Sequence, residues 1–267
     1  MHQKLIFTVI LAMLSAFCDA SDKSDREQAA RIVAQIQRAD YEGDRATLKQ
    51  CYDALTPLLE NRELASRVRY WRGFDLWRSA INGFNDSVDP NELEQALKQA
   101  IDEFKAAIKQ DRAFVDAKVG MISCLGYLAY IKRTDSAARQ ELLEQISPLV
   151  KEAKAMAPEN PRLCWVLGPI LWFQARESGS GPEKLIENYE MGLQHCSNAE
   201  QDKNSLEPSW GKPELLMSLA YTYLNGNPPN VEAAESNARN ALEIVPYWHY
   251  TRDILLPQIL AAKARGK

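Results

Sequence analysis

Few side chains in this chain have the types and spacing that chemistry needs. Histidine occurs three times, at positions 2, 195 and 249. His195 adjoins Cys196, but neighbours on a helix point about 100° apart, so adjacency argues against a shared site. Carboxylates such as Glu141 and Glu144 fall on a polar helix face, where solvation explains them. The cysteines stand at 18, 51, 124, 164 and 196, and none has the Cys-x-x-Cys spacing of a zinc ligand pair. No catalytic residue, no metal ligand and no cofactor is predicted.

Three groups of residues have types suited to binding instead. Arg67, Trp71 and Arg78 lie on one predicted helix. Together they could line an inner surface and receive an acidic or aromatic ligand, or they could form a solvated face. Gly179, Gly181 and Lys184 belong to a Gly-Ser loop running into a helix opened by Pro182. Free backbone N–H groups there could cradle an anion; the plainer reading is a long turn with glycines at left-handed positions. Trp210 stands in the Pro208-Ser209-Trp210-Gly211 loop, outside any helical periodicity. It is either an exposed aromatic at a binding rim or a plug folded back over the gap left by the 196–211 loop.

These residues need helices to position them. Hydrophobic residues make up 46% and charged residues 25%, which fits a folded domain throughout. The net charge of -4 comes without a basic stripe, which excludes the usual nucleic-acid footprint. At the N-terminus, Lys4, the apolar run Leu5 to Phe17 and the small residue Ala20 have the layout of a secretory signal, with cleavage expected after Ala20. The predicted domains are therefore a signal peptide over 1–20 and a helical repeat domain over 21–267. The bulky Phe17 before Cys18 disfavours a lipid anchor there, and no other run is long enough to span a bilayer.

Apolar periodicity and breakers predict helices near 25–39, 45–60, 62–82, 90–110, 113–132, 135–157, 161–176, 182–195, 212–225, 230–244 and 247–264, with Pro257 bending or breaking the last midway. Small and large residues alternate by hairpin: Tyr70, Phe74 and Trp77 precede Ala100, Phe104 and Ala107, and Leu219, Ala220 and Tyr223 precede Ala234, Ala238 and Ala241. Small residues let paired helices approach closely, and large ones fill the groove between them.

Cys164-Trp165-Val166-Leu167-Gly168 and the stretch from Ala234 to Pro246 resemble the tetratricopeptide repeat, although Arg112 stands where a proline is expected. The resemblance covers roughly 62–246. It implies an all-α, right-handed α-α superhelix of about five helical hairpins, with units near 62–112, 113–158, 161–196 and 212–246 and capping helices over 25–60 and 247–264. The Gly179, Gly181 and Lys184 loop and the Pro-x-Trp-Gly loop are also similar to loops of exported bacterial members of that family. In an antiparallel hairpin, the start of one helix lies beside the end of its partner. A Cys164–Cys196 disulfide could therefore staple one unit, a closure worth roughly 3–4 kcal/mol.

The function expected from this reading is a periplasmic or secreted scaffold that holds a protein or peptide partner of the cell envelope. The alternatives are a small-ligand carrier serving an uptake system, if Trp165, Trp172 and Phe173 line a deep pocket, and a hydrolase, if His195 or His249 shares a cleft with a carboxylate. The oligomeric state stays open.

Overall fold

The computed structural model describes residues 23–196 and 205–266. The expected signal segment and Cys18 lie outside them. Eleven α-helices and no strands occur among the described residues. They are α1 (23–42), α2 (Arg45–Ala54), α3 (Ala65–Asn85), α4 (Pro90–Gln110), α5 (Val115–Ile131), α6 (Ser136–Met156), α7 (Pro161–Ser178), α8 (Glu183–Gln194), α9 (Lys212–Leu224), α10 (Val231–Ile244) and α11 (Leu256–Arg265). Successive helices pair as antiparallel hairpins and stack in chain order, giving five hairpins and a closing helix.

Helix starts follow from local chemistry. Asp44, Asp89, Asp135, Asn160 and Asn230 each accept a first-turn backbone N–H, satisfying donors that the helix itself leaves orphaned. Packing follows the expected alternation of sizes. Ala100, Phe104 and Ala107 are fully buried, as are Ala234, Ala238 and Ala241. The Phe104 ring on α4 wedges against Gly73 on α3 and Gly120 on α5, so one large side chain binds two hairpins together. Gly168 on α7 does the converse: a methyl group there would overlap the Tyr189 phenol oxygen of α8, so only glycine lets these helices meet.

Two expectations need correction. The helix predicted at 45–60 ends at Ala54 and gives way to a 3-10 turn over Thr56–Glu60, with Pro57 in its first positions. The last helix is not broken in its middle by Pro257. A π-turn over Tyr250–Leu255 comes first, and the proline sits in the opening turn of α11. The wider π-turn relieves the clash between the proline ring and the carbonyl four residues back, and the absent N–H is not missed there.

The stack also curls back on itself. Tyr41, at the end of α1, donates to Glu214 Oε1 on α9 at 2.7 Å, and its ring meets Trp248 edge-on at 5.0 Å. The first hairpin therefore touches the last.

Candidate functional site

The inner face of the stack is occupied by the chain's own segment 205–211. Trp71 is 1% exposed and donates its indole N–H to the Leu206 carbonyl at 2.8 Å. Arg67 pairs with Asp111 at 2.6 Å and Glu207 at 2.7 Å, its guanidinium lying 3.9 Å over the Phe114 ring. Ser209 accepts from Gln37 on α1. Trp210 is buried among Phe74, Trp77 and Trp165, with ring centroids 5.5–5.7 Å away, and donates to the Tyr70 hydroxyl at 2.8 Å. Arg162 donates to the Trp210 carbonyl, and the Gly211 N–H donates to Glu214. An irregular segment can be buried only when its backbone polar groups find partners, and here side chains of α3, α7 and α9 supply them.

Arg78 lies deeper. Its Nε donates to both carboxylate oxygens of Asp40 at 2.8 Å, and its guanidinium carbon lies 5.3 Å from the Trp165 ring centre. Burial would lower its pKa, but Asp40 and Glu214 outweigh that and hold it charged. Burial raises the pKa of Glu214, against the pull of Arg78 and the Tyr41 hydrogen bond. Neither of the two readings of Arg67, Trp71 and Arg78, a ligand-receiving inner surface or a solvated face, describes how these side chains are held. They are brought together, but their partners are this chain's own Glu207, Leu206 and Asp40. Trp210 takes the second of its two sequence readings, the plug.

The other predicted positions lie apart from this centre. Gly179 caps α7 at φ 68°, a left-handed conformation that favours glycine, and the next N–H returns to the Ala175 carbonyl. Lys184 is exposed, and the Glu183 carboxylate folds against Gly181, so a negative group of the chain already sits at the start of α8. Cys164 and Cys196 pack in one cluster around Gly192, and both are free thiols. His195 lies 3.9 Å from Glu159, beyond hydrogen-bonding distance. Trp165 and Trp172 pack against one apolar cluster, with Trp165 donating to Ser218, whereas Phe173 is exposed.

The rim toward the C-terminal ends of α3, α5, α7 and α9 is aromatic, with Phe84, Tyr127 and Trp172 partly buried and Tyr130 and Tyr221 exposed. Phe84 stacks on Tyr127 at 5.4 Å and meets Tyr130 at 6.1 Å; Trp172 meets Tyr221 at 6.1 Å. Tyr130 is 46% exposed and Tyr221 41%. Tyr250 lies within electrostatic range of both Tyr127 and Tyr221. Its phenol is pushed up to about 12 by burial first, then by the neighbouring Tyr221 and Tyr127 hydroxyls. Beside it lies a cavity of about 120 Å³ between the ends of α1 and α3 and the π-turn. His249 lines that cavity together with Glu42 and Asp86, but no serine, threonine or cysteine does, and the His249 ring stands 3.9 Å from Asp253. The combination set out for the hydrolase reading, His249 sharing a cleft with a carboxylate, is thus present at that cavity, without a serine, threonine or cysteine beside it. Sequence reasoning missed the rim. The available signal was tyrosine at 127, 130, 221 and 223, repeated near helix ends where the core needs fewer large residues.

No helix among the described residues is long and apolar enough to cross a membrane, and none of their acidic, histidine and cysteine side chains group into a metal site. No protein-family model matches the sequence, and no curated protein matches it. Among solved structures, the chain is similar to a thermophilic TPR protein of Thermus thermophilus. The match has a TM-score of 0.56 at 15% identity and covers 88% of this chain and 99% of that one. Together with the five stacked hairpins and their small-residue seams, that likeness gives this chain the fold of a tetratricopeptide-type helical solenoid.

Proposed function

We propose that this chain is a scaffold that binds a protein partner, and that it does so through the tyrosine-rich rim and not the inner groove. One contrast carries this reading: segment 205–211 fills the inner face with bonded partners, while Tyr130 and Tyr221 stay exposed at the other edge. Tyrosine and tryptophan are the residue types that concentrate binding energy at protein interfaces. A solenoid also presents such side chains from several hairpins at once on one rigid face. The Lys4, Leu5 to Phe17 and Ala20 layout supports export, so the partner is sought in the cell envelope.

The test is affinity capture from an envelope extract with the wild type, a Tyr130→Ala/Tyr221→Ala double variant and Trp71→Ala. Recovery of one partner that the double variant loses at least tenfold, while folded Trp71→Ala keeps it, is the expected result. Equal recovery on the double variant would dismiss the rim. N-terminal sequencing of the exported chain checks the address, with Ser21 expected as the first residue.

A further inference from the structure

The cavity beside the rim has a chemical character of its own. Two helices end at it: α1, through Tyr41, Glu42 and Gly43, and α3, through Asn82, Asn85 and Asp86. A helix C-terminus carries partial negative charge on its unsatisfied carbonyls, and two such ends converge here. Two carboxylates add to that. Glu42 engages Arg38 through Oε1, whereas Asp86 makes no ion pair among the described residues. Asn82 donates its amide to the Asp40 backbone and carboxylate, which leaves its Oδ1 as an acceptor. Trp248, Tyr250 and the His249 ring complete the lining, which contains no lysine or arginine.

We propose that this cavity is a socket for an organic cation, an ammonium or guanidinium group on a short alkyl stem. Acceptors and carboxylates favour a positive head group, and the aromatic side chains suit its alkyl stem. An anion would meet two carboxylates, and a neutral apolar group would leave the acceptors unpaired. The volume of about 120 Å³ is close to the roughly 150 Å³ that admits a benzene ring in another protein, so the end of a lysine or arginine side chain fits. The socket opens beside Tyr250, which joins it to the rim. In that respect it rests on the reading that a protein partner docks there and supplies the side chain, although a free amine carries the same chemistry.

The test uses the full chain at pH 8. The probe signal is the Trp248 indole N–H resonance, assigned by its absence in Trp248→Phe. The titrants are n-butylammonium, n-butanol, butyrate and an acetyl-Gly-Lys-Gly-amide peptide. Saturable shifts are expected with butylammonium and the peptide, not with butanol or butyrate, and at least tenfold weaker in Asp86→Asn, an exposed change that leaves the fold intact. Equal response to butanol, an unchanged Asp86→Asn titration, or no response to either cation would overturn the socket. Butylammonium binding without peptide binding assigns the socket to a free amine and removes its link to a protein partner. Loss of the socket with partner capture on the rim retained would refute the socket alone.

Discussion

Replacing Asp75 by asparagine should stabilise the protein, and increasingly so as the pH rises. Asp75 lies on α3, 1% exposed, with its Oδ2 lacking a hydrogen-bond partner among the described residues. Burial raises its pKa from the usual 3.8 to about 9; the charges of Asp40 and Asp53 push the same way, and Arg72 and the Tyr52 backbone N–H oppose them. The neutral acid is therefore the form that folds. Stability from this group is complete below about pH 4 and is lost as the pH climbs toward about 9, because the unfolded chain releases a proton that the folded chain retains. About three pH units separate the unfolded value from neutrality, each worth about 1.4 kcal/mol, so the burden at pH 7 is roughly 4 kcal/mol. Asparagine carries no such burden and has nearly the same shape. Urea unfolding of wild type and Asp75→Asn at pH 5, 6, 7 and 8 should show a gap widening by about 1.4 kcal/mol per unit. Parallel profiles, with the variant less stable at every pH, would refute the reasoning, since they would mean that the folded carboxylate is ionised.

Trp210→Ala should cost about 3–5 kcal/mol in the same assay, because it removes a buried indole from contact with three aromatic rings and strands the Tyr70 hydroxyl. Gly179→Ala should cost about 1 kcal/mol through its left-handed backbone, without altering partner capture. A thiol reagent should label Cys196 alone in the native chain cleaved after Ala20, and denaturant should then release Cys51, Cys124 and Cys164. Failure of both Cys164 and Cys196 to react after unfolding would instead reveal a bridge between them.

What could be read in advance was local. The Ala100, Phe104 and Ala107 seam and the Ala234, Ala238 and Ala241 seam follow from helix periodicity, and both are fully buried. Helix starts at Asp89, Asp135 and Asn160 come from side chains adjacent to the turns they cap. The site was not local. Periodicity places Trp71 off the Tyr70 and Phe74 face, but its partner is a carbonyl 135 residues away. The same holds for Trp210 and Tyr70, 140 residues apart. Which residues fill the inner face depends on the curvature of the whole stack, and single helices do not encode that visibly. Hence Arg67, Trp71 and Arg78 were recognised as a group while their partners were not. The rim escaped because its tyrosines sit at helix ends, where neither a core pattern nor a motif marks them.

The bonds from Tyr41 to Glu214 and Trp248 have a thermodynamic consequence. An open array of repeats unfolds from its ends, since each unit is held only by its neighbours. Here the first hairpin and the last are each other's neighbours, so the linear array is energetically a closed circuit. Opening of the first hairpin or of the last must break contacts that also hold the other. Partial unfolding is thereby suppressed, and the first and last hairpins are expected to open together instead of peeling off one by one.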